Sequence, residues 1–152
     1  MKTIEQEIQQ GSFINEQVKA NINLLYTSNW LYNRLSSYLK PYDLTHEQFN
    51  VLRIIRGSHP NSMCQKDILS RMIAPSSNMT LLIKKLKAKQ LVNVDQAEHD
   101  RREYIISITE EGLKRLSMID AHFETEMKKG NINNLSDEEA KTLNLLLDKI
   151  RA

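Results

Sequence analysis

The stretch from Pro75 to Ile108 restricts this chain more than any other. Between Pro75 and Lys89 the apolar residues Met79, Leu82, Ile83 and Leu86 recur at helical spacing and form a single seam. The opposite side carries small polar residues at its start and lysines at its end. A helix of this kind docks by one face and presents the other. Leu91, Val92, Asn93 and Val94 follow directly, then a polar segment from Asp95 to Glu103 containing the adjacent Arg101 and Arg102. The alternating run Tyr104-Ile105-Ile106-Ser107-Ile108 closes the stretch, so a β-hairpin with an arginine-bearing tip is expected immediately after the helix.

The preceding segments supply the rest of a familiar unit. Thr45 and Gln48 form a capping box, with Leu44 and Phe49 placed as a hydrophobic staple, so a helix is expected through Val51, Leu52, Ile54 and Ile55 to about Gly57. Ser62 and Gln65 repeat the box for a short third helix containing Ile68, Leu69 and Met72. A break at Ala74-Pro75 leads into the helix described above. Two short helices joined by a turn, then a hairpin, make a winged helix-turn-helix, which presses one helix and one hairpin onto DNA.

The flanks are helical. No Gly or Pro interrupts Phe13 to Leu39, whose apolar residues recur every three or four positions until Pro41 stops the helix. Residues 1–11 show no clear apolar face and are expected to be frayed or loosely helical. Beyond the hairpin, Thr109 caps a helix with a seam at Leu113, Leu116, Ile119, Phe123 and Met127 that ends around Gly130. Ser136, boxed by Glu139, opens a last helix carrying Leu143, Leu146, Leu147 and Ile150. The fold class is therefore mainly α with a small β-hairpin wing, a winged helix-turn-helix plus an all-helical dimerisation platform. Residues 1–152 read as one unit, with the DNA-binding part at 42–109 and the helical part at 12–40 and 110–152. A first helix this long buries little against so small a domain, and a second subunit is expected on its free face.

Charge agrees with this division. Residues 71–102 carry a net +4, whereas residues 103–152 carry −3, although the whole chain is only +2. The basic excess lies on the expected reading unit. With Met79, Leu82, Ile83 and Leu86 buried, Ser77, Asn78, Thr80 and Leu81 are assigned to base edges. Ser76, Lys84 and Lys85 are assigned to phosphates, the first-turn amides and helix dipole favouring an anion. Arg101 and Arg102 at the hairpin tip suit a narrow, electronegative minor groove. The bland alternative, a capping serine and solvated lysines, loses ground because the wing follows the helix at once.

Other chemistry is poorly represented. There is no phosphate-cradling glycine loop, no nucleophile elbow and no paired carboxylate for acid–base work, so an enzyme is not expected and no cofactor is implied. His46, His59, His99 and His122 show no ligand spacing on one face, and no metal is expected. Cys64, the lone cysteine, falls in the first turn of the third helix, where the dipole would lower its pKa. Redox sensing is physically open to it, but the role of a small hydrophobe fits better. A polar N-terminus, no apolar run of membrane-spanning length and an unpaired cysteine make the cytoplasm the expected location.

In this order and spacing, the segments Leu44-Thr45-His46-Glu47-Gln48-Phe49, Ser76-Ser77-Asn78-Met79-Thr80, Lys89-Gln90-Leu91-Val92, Asp100-Arg101-Arg102 and Ile106 to Gly112 are similar to the MarR family of bacterial transcriptional regulators. The similarity covers about residues 20–150. It implies a homodimer in which the first and last two helices interlock, each subunit placing its recognition helix in the major groove of a pseudo-palindromic operator. It implies further that Arg102 enters the minor groove while Asp100 braces the wing. Repression relieved by a small, often phenolic, effector in a cleft between platform and winged helix is also implied, with Trp30 as a candidate lining residue. Three positions depart from the family pattern. Gln90 replaces the glycine that usually ends the recognition helix, so a less tightly turned exit is expected. Pro75 stands where many relatives have serine. Leu81 replaces a common arginine, which removes a guanine contact and offers thymine methyls an apolar one. Leu81 also sustains the alternative, a winged helix that binds protein and no longer reads DNA.

Overall fold

The computed structural model describes residues 2–74, 78–97, 103–128 and 134–152, with the backbone alone at 127 and 128. Asp100, Arg101 and Arg102 of the wing tip, and Pro75, Ser76 and Ser77 ahead of the reading helix, lie outside the described residues.

The chain runs α1 (Ile4–Ile8), α2 (Glu16–Leu39), a 3₁₀ turn (Lys40–Tyr42), α3 (His46–Arg56), β1 (Met63–Cys64), α4 (Gln65–Ser70), α5 (Met79–Ala88), β2 (Val92–Gln96), β3 (Tyr104–Ile108), α6 (Glu110–Lys128) and α7 (Asp137–Ile150). The segment expected to fray contains the short helix α1, held on α2. Ile4 is buried, Lys19 pairs with Glu5 at 2.5 Å, and the Tyr26 hydroxyl donates to Glu7 at 2.9 Å. The Lys19 hydrogen bond, helped by those from the backbone and Thr3, brings the Glu5 carboxyl down to about 2.

At the centre lies α3. Its box forms as the sequence requires: Thr45 Oγ1 accepts from Gln48 N at 3.3 Å, and Gln48 Oε1 accepts from Thr45 N at 3.1 Å. Leu44 and Phe49 are buried in the same core. Val51, Leu52 and Ile55 are fully enclosed, because α2, α4, α5, α6 and β3 all pack around this helix. The sheet is antiparallel in the order β1-β3-β2. β2 and β3 form the expected hairpin, with Val92 opposite Ile108 and Gln96 opposite Tyr104. The third strand was not expected. Met63 and Cys64 pair with Ile106 and Ile105, and two residues carry no periodicity from which a strand could be read.

That strand also moves the start of α4. The expected cap at Ser62 is replaced by Cys64, whose Sγ accepts from Asp67 N at 3.4 Å. The Asp67 amide draws the thiol's pKa down, but burial and the Asp67 carboxylate push it above its ordinary value. The lowering expected from the helix end is therefore not found, since burial and the Asp67 carboxylate together outweigh the amide.

The exit of α5 departs from expectation in the other direction. Gln90 takes the left-handed conformation, φ 59°, that glycine adopts in the family pattern. Leu91 N bonds to Leu86 O at 3.1 Å and Gln90 N to Lys87 O at 2.9 Å, which is a complete Schellman closure. Glutamine does not loosen this turn because α6 holds it. Thr109 N donates to Leu91 O at 3.1 Å and Thr109 Oγ1 to Gln90 O at 2.7 Å, while Gly112 N donates to Thr109 Oγ1 at 3.0 Å. Helix and strand exit approach so closely here that a Cβ on Gly112 would lie 2.4 Å from Leu91 O and 2.7 Å from Ile108 Cγ1.

The platform contrasts with this tight joint. α7 opens at Ser136, whose backbone and side chain are both boxed by Glu139 at 2.8 Å, yet none of its residues is buried. Leu143, Leu145, Leu146 and Ile150 are exposed, as are Leu25, Trp30, Leu31 and Tyr32 on α2. The chain exposes 11123 Å². A compact monomer of its mass would expose roughly 7,900 Å².

Two stability measurements follow from the α5 exit. Gly112→Ala forces the Leu91 carbonyl or the start of α6 to move and should cost about 2–3 kcal/mol, lowering Tm at fixed protein concentration by roughly 5–10 °C. Gln90→Gly relieves the left-handed penalty and should raise stability by about 0.5–1 kcal/mol, net of glycine's entropy. A glycine variant that melts lower would show that the Gln90 side chain contributes more than its backbone costs.

Candidate nucleic-acid interface

α5 is built as an amphipathic helix with its two faces well separated. Met79, Leu82, Ile83 and Leu86 are buried against the core, as their spacing requires. Thr80, Leu81, Lys84 and Lys85 all lie on the exposed side, with Leu81 44% exposed. Positions 80 and 84, and 81 and 85, stack one turn apart and form a single outward surface. Lys87 is exposed too, and α5 contains no acidic residue. Lys84, Lys85 and Lys87 have no ion-pair partner among the described residues. Such a surface supplies a hydroxyl, a branched apolar group and flexible ammonium groups, which are the means of reading base edges while holding phosphates.

Asn78 has a different place from the one expected. α5 begins at Met79, not at Pro75, and Asn78 is its N-cap, its Oδ1 accepting from Leu81 N at 3.0 Å. Capping engages that oxygen with the first turn of the helix. Ser76, Ser77, Asp100, Arg101 and Arg102 fall outside the described residues, so the geometry speaks for Thr80, Leu81, Lys84 and Lys85 alone. Both arms of the wing are in place as far as Ala97, whose N–H bonds Glu103 O at 2.9 Å.

Lys89 has a place in the structure that its sequence context did not reveal. It stands at the end of a lysine-rich helix, yet its ammonium turns inward. Its Nζ lies 3.0 Å from the Asp43 carboxylate and 3.3 Å from Gln48 Oε1, and it also donates to the Asp43 carbonyl. Helical spacing distinguishes this lysine only weakly from Lys85 or Lys87.

Behind the reading surface a cleft of about 640 Å³ opens between α2, α3 and α6, lined by Leu31, Arg34, Leu35, Tyr38, Phe49, Arg53, Arg56, Asp120, Phe123 and Glu124. Arg56 pairs with Asp120 at 2.6 Å and Arg53 approaches it at 3.9 Å, so one carboxylate on α6 ties down two cations of α3. Arg34 sits over the rings of Trp30 and Tyr38 at 5.0 and 5.9 Å, and its Nε is buried without a hydrogen-bond partner among the described residues. Trp30 itself does not line this cleft. It borders a smaller cavity of about 200 Å³ with Ile4, Glu7 and Tyr26, and reaches the larger one only through Arg34.

Among the described residues no helix is long and apolar enough to cross a membrane. The family of SarA/Rot transcriptional regulators matches the chain over residues 34–119. The HTH-type transcriptional regulator SarZ of Staphylococcus aureus (strain USA300) is 31% identical over 132 residues, covering 86% of this chain and 84% of SarZ. Among solved structures, a cysteine-to-serine mutant of MarR from E. coli complexed with operator DNA superposes with a TM-score of 0.77 at 21% identity, over 92% of this chain and 99% of that one. The S. aureus MepR–DNA complex superposes with a TM-score of 0.73 at 22% identity, over 86% and 94%. Fold, reading surface and sequence similarity agree, and the chain belongs to the SarA/Rot family of transcriptional regulators, built on the winged-helix fold of the MarR proteins.

Proposed function

We propose that this regulator binds a pseudo-palindromic duplex operator as a homodimer and represses transcription from it in the cytoplasm. The observation that carries the reading is the outward face of α5, where Thr80, Leu81, Lys84 and Lys85 are exposed over a fully buried apolar seam. Thr80 and Leu81 contact base edges, with Leu81 against thymine methyls, and Lys84 and Lys85 hold phosphates. Ser76 and Ser77 extend the contact ahead of the helix, Arg101 and Arg102 enter the minor groove, and Asp100 supports the wing. Operator complexes of relatives of the same fold support this orientation.

The dimer is supported by the platform. The surface in excess of a compact monomer's is roughly 3,000 Å², and the exposed leucines of α2 and α7 supply its apolar part. Interfaces of two to several thousand Å² are typical of obligate homodimers. Residues 12–40 and 110–152 would form the interface, leaving 42–109 to reach successive major grooves about one helical turn apart.

A small effector of phenolic type is the third element. The cleft brings the rings of Tyr38, Phe49 and Phe123 together with Arg34, whose buried Nε lacks an acceptor among the described residues. A ligand carrying an oxygen anion beside a ring satisfies that donor and competes with Asp120 for Arg53 and Arg56. Since Asp120 links α6 to α3, this would change the angle of the reading head against the platform. The exposed Leu81 also fits the second reading, a winged helix that docks protein through an apolar contact.

Selection of bound duplexes from a random pool at near-physiological salt separates the two readings. An enriched inverted repeat is expected. No enriched sequence, with salt-insensitive association to protein alone, would leave the second reading standing. On the selected duplex, Lys84→Ala should reduce the slope of log K against log salt by about 0.9. Arg102→Ala should weaken binding while the dimer remains intact by sedimentation, and unchanged affinity would remove the wing from the interface.

A further inference from the structure

We propose that Lys89 is a positioning residue for DNA reading, a latch that sets the angle of α5 by tying its last turn to the α2–α3 junction. The inference rests on the DNA-binding reading above and adds to it a residue outside the contact surface. An ammonium group has three donors. Those of Lys89 are matched by the Asp43 carbonyl, the Asp43 carboxylate at 3.0 Å and Gln48 Oε1 at 3.3 Å. No donor remains for a phosphate, and the adjacent carboxylate offsets the charge. The Lys89 side chain is 25% exposed and that of Asp43 80%, so the lysine is partly enclosed while the carboxylate reaches it from the solvent side.

Both partners stand on backbone fixed by hydrogen bonds. Gln48 is 2% exposed and is itself half of the capping box of α3, the helix at the centre of the core. Asp43 occupies a left-handed position, φ 53°, and its N–H closes the 3₁₀ turn on Lys40 O at 3.1 Å. The latch therefore joins the reading helix to the end of α2 and the start of α3. Directly beside it, Gln90 and Leu91 are bonded to Thr109 at the start of α6. The C-terminal end of α5 is thus held from two sides. A change in the relation of α2 to α3 reaches the reading face through this point.

The test uses the full chain, the selected duplex and a scrambled duplex across a salt series. Lys89→Met keeps the stem and removes the donors. It should weaken binding to the selected duplex about tenfold, leave the scrambled duplex unaffected, and leave the salt slope as in the wild type. Asp43→Asn supplies an opposing sign. If Lys89 positions the helix, losing the Asp43 charge weakens operator binding. If Lys89 instead touches phosphate, the same change frees a cation and removes an anion, and binding tightens. Asparagine tolerates the left-handed backbone, so this variant carries the test alone should Lys89→Met fail to fold. The double variant should bind no worse than Lys89→Met. A slope reduced by about one, tighter binding by Asp43→Asn, or operator affinity unchanged in both variants would each overturn the latch. A wild-type chain that selects no duplex would overturn the DNA reading and the latch together. That outcome is distinct from one in which the wild type binds and Asp43→Asn binds equally well.

Discussion

The left-handed turn at Gln90 is the constraint on which the arrangement of this molecule depends. A helix that carries reading side chains is useful only if its angle is held, and α5 leaves the core through a single residue at φ 59°. Two hydrogen bonds from Thr109 fasten that residue and the next to the start of α6, a third from Gly112 N holds the Thr109 hydroxyl, and Gly112 allows the two backbones to meet at a distance no side chain would permit. Any relaxation there would rotate the whole outward face, because the buried seam of α5 gives it a preferred face but not a unique tilt. At the opposite end Asn78 caps the helix, its Oδ1 accepting from Leu81 N.

The two halves of the chain are organised by different forces. Around α3 the core is closed: buried apolar residues from every neighbouring element surround it, and Gln48 is its buried polar residue among those described. In α2 and α7 the apolar positions are present but uncovered, and α7 buries none of its residues. A helix with a regular leucine face left in water gains by association. The charge distribution points the same way, with the excess of acid after residue 103 keeping the platform from competing with the reading unit for an anionic duplex. Between the halves lies the cleft, where Asp120 on α6 balances Arg53 and Arg56 on α3. One carboxylate thus links α6 to α3 across the cleft.

Much of this was legible in the chain because it is local. The boxes Thr45–Gln48 and Ser136–Glu139, the seam of α5 and the alternation of β3 each depend on neighbours within four residues, and all appear as read. The site was legible to the same extent: once the seam is assigned, Thr80, Leu81, Lys84 and Lys85 must face outward. Where reading failed, the competing interaction was remote or too short to leave a pattern. Ser62 has the right chemistry for a cap, but pairing of Met63 and Cys64 with β3 extends the backbone past it and hands the cap to Cys64.

Sequence alone determined the long helices, the caps at Thr45 and Ser136, the apolar seam of α5 and the sign of charge on the reading unit, since periodicity and capping are properties of residues three or four apart. Tertiary structure alone decided that a glutamine would accept glycine's conformation, that one lysine of a basic helix would turn inward, and that the Nε of Arg34 would be buried without a hydrogen-bond partner among the described residues. Lys89 meets Gln48 across 41 residues and Asp43 across 46. A pairing at that distance depends on where α3 and α5 come to rest against each other, and that is set by the packing of the whole core, which no window of the sequence contains.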